Sequence, residues 1–248
     1  MISLASDFDG TIFFSKDNVP DSVPLKPENT VAIKEFHEKG NLFGFCTGRI
    51  PDDMIKDTAK VVDADFYIMV SGSLILDKQM NIIFDSPIDR EALQGICDEF
   101  SKYSDPAVLT KDDIYIIGDS RPYGIHIKSL SEVEGKVYGV SLALKDEAES
   151  HRVADEIKAK YGDKVEAYPN NEYLDMVAKG CSKGTGIEFV KAHYGIDKMC
   201  GIGDSFNDLP MLRQADTSFT FDYSAEKVQA EADYVVNTVA DAVKILLK

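Results

Sequence analysis

The chain of 248 residues is long enough to bury a substantial core, and its contents of 44% hydrophobic and 28% charged residues are ordinary for a globular protein. Its formal net charge of −16 is not ordinary, and it argues against nucleic acid as a partner because such a surface repels a polyphosphate backbone.

Two sequence features narrow the class of protein. The four cysteines form no CxxC pair, which indicates reduced thiols rather than a disulfide framework. No basic segment followed by a long apolar core stands near the N-terminus, and no apolar run approaches about 18 residues. We therefore expect a cytoplasmic protein without a membrane partner, as a monomer or a small homo-oligomer.

The first third of the chain alternates short apolar runs with helical patterns. Strands are predicted at residues 2–5, 42–46 and 66–70, and helices at 27–39 and about 51–62, the second opened by Pro51 in its first turn. This order predicts a parallel sheet with right-handed crossovers.

The pattern changes in the middle of the chain. Apolar runs at 74–76 and 82–84 flank a polar turn and predict a hairpin. The elements predicted next are a helix from 88 to about 103, strands at 114–117, 124–127 and 137–144, a helix at 146–161, and extended segments at 165–168 and 173–177. This antiparallel-rich stretch predicts an inserted α+β domain over residues 83–182.

From residue 183 the alternation of short apolar runs and helical patterns returns. Helices are predicted at 183–193, 209–214, 225–231 and 239–247, and strands at 199–202, 218–221 and 234–236. The predicted fold class is therefore α/β, with a Rossmann-like parallel-sheet core formed by residues 1–82 and 183–248 and interrupted by the inserted α+β domain.

Polar residues follow the predicted core strands at the points where each strand ends. Asp7 and Asp9 follow the first strand, Thr47-Gly48-Arg49 follows the second, and Asp204 and Asp208 follow a later one. Ligands of an open parallel sheet bind outside the carboxyl ends of its strands, so we expect these groups to meet. Four carboxylates at one edge of a sheet repel one another, so we first infer a divalent metal ion between them. Such a site suggests attack on a phosphate as the chemistry.

Asp7 and Asp9 lie two residues apart on a chain that leaves a strand, so both side chains can face one site. Two such carboxylates can divide their roles, one as an ionised nucleophile and the other as a protonated general acid. The alternative is a pair of turn or cap aspartates, and the companion segments argue against it. Lys183, at the start of the helix that leads to Asp204, would supply local positive charge for a phosphate.

In their order, these segments resemble the four motifs of the haloacid dehalogenase superfamily. The matching segments are Asp7-Phe8-Asp9-Gly10-Thr11, Thr47-Gly48-Arg49, Lys183-Gly184, and Gly203-Asp204 followed by Asn207-Asp208. The spacing and the mid-chain insertion resemble the Cof-type phosphatase branch, whose inserted domain is an α/β cap. The resemblance spans the whole chain.

The resemblance implies a role for each matching acid. Asp7 would be the nucleophile that becomes an aspartyl phosphate, and Asp9 would protonate the leaving oxygen and then activate water. Mg²⁺ would be bound by Asp7, the backbone carbonyl of Asp9 and Asp204, while Asp208 would support the metal waters or Lys183. Thr47 and Lys183 would hold the phosphoryl oxygens, with the Gly48 amide and Asn207 nearby.

Three segments bear on the substrate rather than on the chemical step. Ser71-Gly72-Ser73 stands where the Cof-type branch usually has Asn-Gly-Ala. Residues 218–224 stand where that branch has a more glycine-rich segment. In the inserted domain, Asn171 and Glu172 belong to a polar and aromatic cluster over residues 168–175. They are candidate substrate contacts, since polyols need such donors and acceptors, and an ordinary turn and strand is the alternative.

The resemblance implies a Mg²⁺-dependent phosphatase that hydrolyses small phosphorylated metabolites, sugar phosphates first, through an aspartyl phosphate. One alternative is a phosphomutase of phosphosugars, similar to phosphomannomutase, which returns the phosphoryl group to sugar rather than to water. The other is a regulator that binds a phosphosugar without catalysis, although binding alone does not need the Asp9 acid.

Overall fold

The computed structural model describes residues 1–14 and 25–248. In this part of the chain the strands are β1 (Ile2–Ser6), β2 (Leu42–Cys46), β3 (Phe66–Met69), β4 (Leu74–Asp77), β5 (Ile82–Asp85), β6 (Ala107–Leu109), β7 (Ile114–Ile117), β8 (Ile125–Ile127), β9 (Gly139–Ala143), β10 (Val165–Asn170), β11 (Tyr173–Ala178), β12 (Lys198–Ile202), β13 (Thr217–Phe221) and β14 (Tyr234–Val236). The α-helices are α1 (Pro27–Glu38), α2 (Asp53–Val62), α3 (Arg90–Phe100), α4 (Glu147–Tyr161), α5 (Lys183–Tyr194), α6 (Leu209–Gln214), α7 (Glu226–Gln229) and α8 (Val239–Leu246).

The first sheet has the strand order β14-β13-β12-β1-β2-β3-β4-β5. Its strands from β14 to β3 are parallel, and β4 and β5 are added antiparallel at one edge. Because β1 pairs with β12 on one side and β2 on the other, the carboxyl ends of these three strands are neighbours. The predicted α/β class with a parallel-sheet core is confirmed.

The central strands β1, β2, β3 and β12 are buried on both faces, which explains why they are nearly continuous apolar runs. Consecutive residues of a strand point to opposite faces. In β1, Leu4 belongs to the core cluster that includes Ile33 of α1, whereas Ala5 belongs to the cluster that includes Ile187 of α5 and Met211 of α6. The sheet therefore lies between two helical layers.

The second sheet has the order β10-β11-β9-β6-β7-β8 and is antiparallel except for the β7–β8 pair. Buried side chains of α3 and α4 share its core cluster. The chain leaves the first sheet after β5 and returns through the short segment between β11 and α5.

The division into a core and an inserted cap stays a proposal, supported by this strand pairing with one change. Residues 83–85 pair within the first sheet as part of β5, so the proposed cap begins near Ser86 instead of residue 83.

The predicted elements are present, with ends shifted by a few residues, and three details differ. Strand β6 was not predicted, since it is only three residues long and follows Pro106. Helix α2 begins at Asp53 with Asp52 as its N-cap, which accepts from the Ile55 amide, so Pro51 precedes the helix rather than opening its first turn. Helix α3 ends at Phe100, before the predicted end.

None of the helices in residues 1–14 and 25–248 combines the length and the apolar composition that a membrane crossing requires.

Candidate active site

The ends of β1 and β12 bring Asp7 and Asp204 together. The Asp7 amide donates to the Ile202 carbonyl at 2.9 Å, which continues the pairing of the two strands past their ends. The Thr11 hydroxyl donates to Asp204 Oδ1 at 2.8 Å. Gly10 has a φ of +78°, and a Cβ at this position would lie 2.8 Å from Asp204 Oδ2, so glycine is required both for the turn and for the approach of the carboxylate.

Lys183 connects the acids of both loops. It is the first residue of α5, whose N-cap Ser182 accepts from the Thr185 amide at 2.9 Å. Its ammonium lies 2.6 Å from Asp7 Oδ1, 2.5 Å from Asp208 Oδ1 and 3.5 Å from Asn207 Oδ1. The side chain is only 1% exposed, so this contact is a buried ion pair rather than a solvated surface one.

Asp208 uses both carboxylate oxygens within the protein. Oδ1 contacts Lys183, and Oδ2 accepts from the backbone amides of Asp204 and Ser205, both at 3.0 Å. A fully buried carboxylate with these partners fixes the Asp204 loop and positions the lysine, which fits the supporting role expected for Asp208.

The site carries an excess of buried negative charge. One oxygen each of Asp7, Asp204 and Asp208 lies within 4.8 Å of the others. Burial raises the pKa of Asp7 well above its usual value, and the Asp208 charge adds to the rise, which Lys183 only partly offsets. Burial and then the Asp208 charge raise the pKa of Asp204 to about 6. Burial opposes the charge of Lys183, but Asp208 and Asp7 outweigh it and raise the pKa of that ammonium.

This donor set fits a hard divalent cation. Three carboxylates face one ammonium, so positive charge is still needed, and all the available ligand atoms are oxygens. Since both oxygens of Asp208 are already engaged, Asp7 and Asp204 are the better candidates for direct ligands.

The loop after β2 holds the next predicted group. The Thr47 amide donates to the Ile68 carbonyl at 2.8 Å, and the buried Thr47 hydroxyl accepts from the Arg49 amide at 3.2 Å. A Cβ at Gly48 would lie 3.5 Å from the Ser71 hydroxyl and 3.8 Å from Oδ2 of Asp175, so the loop packs between β3's end and β11.

The Asp9 carboxylate does not belong to the cluster of three acids and pairs with Arg49. Arg49 Nε lies 2.6 Å from Oδ2 of Asp9, and Nη2 lies 2.8 Å from Oδ1, a bidentate contact. Nη1 of Arg49 also donates to Asp52 at 2.9 Å. The expectation that Asp9 binds metal concerns its backbone carbonyl and stays a prediction. The sequence predicts no role for Arg49 beyond its place in the motif Thr47-Gly48-Arg49.

One cavity of about 950 Å³ connects these residues with the second sheet. All the predicted site residues except Lys183 and Asp208 line it, namely Asp7, Asp9, Thr47, Gly48, Asn171, Glu172, Asp204 and Asn207. Lys183 and Asp208 do not line it and are joined to it through Asp7. The structure therefore brings all ten predicted residues to one place. It adds Arg49 and Arg121, for which the sequence offers no signal beyond the motif position of the former.

Comparison with known proteins gives a consistent result. The family model for haloacid dehalogenase-like hydrolases matches residues 4–244. The chloroplastic endoribonuclease YBEY of Arabidopsis thaliana is 24% identical over 268 aligned residues, which cover 96% of this chain, although the chain spans only 45% of that protein's length. The 5-amino-6-(5-phospho-D-ribitylamino)uracil phosphatase YcsE of Bacillus subtilis is 23% identical, with 95% of this chain and 89% of that protein covered.

A solved structure shows the same fold. The subclass IIB sugar phosphatase BT4131 superposes with a TM-score of 0.82 at 21% identity, over 99% of both chains. Because the family model spans nearly the whole chain, the superfamily predicted from the motifs is confirmed: this chain belongs to the haloacid dehalogenase-like hydrolases.

Proposed function

We propose that the protein is a Mg²⁺-dependent phosphatase of small phosphorylated metabolites, sugar phosphates first, which acts through an aspartyl phosphate on Asp7. The observation that carries the proposal is the buried contact of 2.6 Å between Asp7 and Lys183, beside Asp204 and Asp208. A nucleophilic carboxylate that attacks a phosphate needs this local positive charge.

Asp7 would attack phosphorus, and Lys183, whose ammonium lies 2.6 Å from Asp7 Oδ1, would hold a phosphoryl oxygen once that carboxylate turns toward phosphorus. Mg²⁺, when bound by Asp7, Asp204 and the Asp9 carbonyl, would supply the charge that offsets the anionic oxygens. Thr47, the Gly48 amide and Asn207 would orient the phosphate, since all three residues line the cavity beside Asp7.

Asp9 would donate the proton to the leaving oxygen and then activate water. Its carboxylate is 45% exposed at the cavity wall, and Arg49 holds it there through two contacts. Arg49 would thus hold Asp9 in the ionised form that activates water, and this contact would have to open for Asp9 to carry the proton that the leaving oxygen takes up.

Two findings support small phosphate esters as substrates. The cavity is bounded on one side by residues of the second sheet, most of them polar, which suits a small hydroxylated group better than a polymer. The names of the two phosphatases above, one for a ribityl phosphate and one for sugar phosphates, point the same way. A cytoplasmic location, the lack of nucleic acid and membrane partners, and a monomeric or small homo-oligomeric state stay predictions from the sequence.

The direct test is phosphate release from a panel of phosphate monoesters with Mg²⁺ present. Asp7→Asn should abolish turnover of p-nitrophenyl phosphate without changing the thermal denaturation profile by more than a few degrees. Asp53→Asn is the matched control, since the Asp53 side chain is 99% exposed. Retained turnover by Asp7→Asn would reject Asp7 as the nucleophile. Formation of an isomerised phosphosugar would favour a mutase instead.

A further inference from the structure

The second sheet supplies one wall of the cavity, which we call the cap wall. It is lined by Ala107, Leu109, Ile114, Arg121, Tyr123, Ser141, Asn170, Asn171, Glu172, Tyr173 and Asp175. Among these residues Arg121 is the single cation. The proposed phosphate site lies on the opposite side of the cavity, so a group in contact with Arg121 belongs to the part of a substrate that leaves.

Arg121 is fixed to the cap wall by two hydrogen bonds and lines the cavity. It lies in the loop between β7 and β8 and is only 7% exposed. Nη1 donates to the Tyr123 hydroxyl at 2.7 Å, and Nη2 donates to the Ser141 carbonyl at 2.9 Å. Nε has no acceptor within residues 1–14 and 25–248. Nε is buried out of reach of the cavity, so the N–H groups that remain for a bound molecule are the second ones of Nη1 and Nη2.

An acceptor lies on the same wall. Asp175 of β11 stands opposite Ser141 of β9, the residue whose carbonyl fixes Arg121. Its Oδ2 lies 3.8 Å from the position of a Cβ on Gly48, so the carboxylate reaches from the cap wall toward the phosphate side of the cavity. Donor and acceptor groups thus occupy neighbouring places between the cap wall and the motif after β2.

The charges of the cap wall select against a second anion. The wall carries the positive charge of Arg121 and the negative charges of Asp175 and Glu172, so it has no surplus positive charge for a carboxylate or a further phosphate. A hydroxyl group both donates and accepts, and it therefore suits an arginine beside a carboxylate.

We propose that Arg121 and Asp175 bind hydroxyl groups of the leaving group, so that the enzyme selects phosphate monoesters of polyols or sugars over those of plain or carboxylated alcohols. This inference rests on the proposed phosphatase function and assigns its specificity to two residues of the cap wall.

The test compares two esters of equal carbon number, erythritol 4-phosphate and butyl phosphate. Arg121→Met should lower kcat/KM for the polyol ester by about 10- to 100-fold, the effect of losing hydrogen bonds to a charged group, and change that for butyl phosphate by less than about 3-fold. Asp175→Asn should act in the same direction. Arg152→Met is the control, since Arg152 is an exposed arginine of α4 that does not line the cavity.

Arg121→Lys keeps the charge but not the forked Nη donors, so it should show the same selective loss, and it serves as the second variant where Arg121→Met fails to fold. Equal losses on both esters would overturn the inference, because Arg121 would then support only the structure of the cavity. So would unchanged kinetics on both, or a loss greatest for the carboxylated ester 3-phosphoglycerate.

Failure of the proposed phosphatase function has a different signature, namely a wild-type protein that releases phosphate from neither ester. In that case calorimetric binding of the same two esters decides. Tighter binding of erythritol 4-phosphate that Arg121→Met removes would support the assignment of these residues, whereas equal binding of both esters would overturn it.

Discussion

Lys183 and Asp7 are 176 positions apart in the chain, yet their side chains meet at 2.6 Å in a buried ion pair that Asp208 extends at 2.5 Å. The lysine therefore has two tasks. It neutralises carboxylates that the fold buries, and in the proposed reaction it would offer positive charge to a phosphate beside Asp7. The first task predicts an effect on stability and the second an effect on turnover.

Replacing Lys183 with Met should reduce both quantities. Removal of one partner of a buried ion pair leaves uncompensated charge, so we expect the free energy of unfolding to fall by about 3–5 kcal/mol in the absence of a divalent cation. Urea denaturation measures this fall, and turnover of p-nitrophenyl phosphate should become undetectable. Lys191→Met is the control on the same helix, because Lys191 is 37% exposed and pairs with Asp216 at the surface. A variant with near wild-type turnover would contradict the assigned role.

Asp9→Asn should separate the two halves of the proposed reaction. Nitrophenolate leaves without needing a proton, so the aspartyl phosphate should still form from p-nitrophenyl phosphate, while its hydrolysis loses the base that activates water. We expect a burst of nitrophenolate followed by a steady rate lowered by about 10²- to 10⁴-fold. Rapid-mixing absorbance measurements would show it. Linear progress at the wild-type rate would remove Asp9 from the mechanism.

Gly10→Ala should weaken metal binding through Asp204. A Cβ at this position would meet Asp204 Oδ2 at 2.8 Å, in a backbone conformation with φ +78° that alanine also strains. Gly40→Ala is a matched control, because Gly40 has φ +76° and nothing within 4 Å of its Cβ position. Both variants should lose about 1–2 kcal/mol of stability, while only Gly10→Ala should lose Mg²⁺ affinity in calorimetry. Equal affinities in the two variants would separate Asp204 from the metal site.

Asp65 should make the free energy of unfolding depend on pH in the acid range. Its carboxylate lies 2.9 Å from His37 Nε2 and accepts from the Phe43 amide at 3.0 Å. Burial would raise the pKa of Asp65, but these partners and Lys78 outweigh it and lower that pKa. The stabilisation is therefore present above the unfolded pKa and lost as the pH falls through the lower folded value.

Asp65→Asn should accordingly lower the free energy of unfolding by about 1–2 kcal/mol at pH 7, and this difference should shrink below about pH 4. Denaturant titrations at several pH values measure it. Asp63→Asn serves as the control, since Asp63 contacts the same Lys78 but is 67% exposed. A difference independent of pH would show that the charge of Asp65 is not what stabilises the fold.

The parts of the site that the sequence could predict are those encoded within a few residues. Asp7 and Asp204 follow apolar strands directly, and a parallel sheet brings the ends of such strands together whatever the loops do. Lys183 was identifiable because a helix start and the motif order agree at that position.

The parts that could not be predicted depend on contacts between distant segments. Arg49 finds its partner Asp9 40 positions away, and nothing local indicates that the pair forms. Arg121 stands in a polar turn with no distinguishing sequence pattern. It is buried in the cavity wall because its loop packs against β9. Strand β6 is too short for a periodic pattern and is fixed by its neighbours β7 and β9.

The short segment between β11 and α5 links the cap wall directly to the candidate active site. Strand β11 carries Asp175 into the cavity, and after the short stretch 179–182 the chain begins α5 with Lys183. Asp175, proposed to bind the leaving group, and Lys183, beside the nucleophile, are thus connected by a short stretch of chain. Any movement of the proposed cap would have to be accommodated in this segment and in the one between β5 and α3, so a shift of Asp175 would be passed along the chain to Lys183.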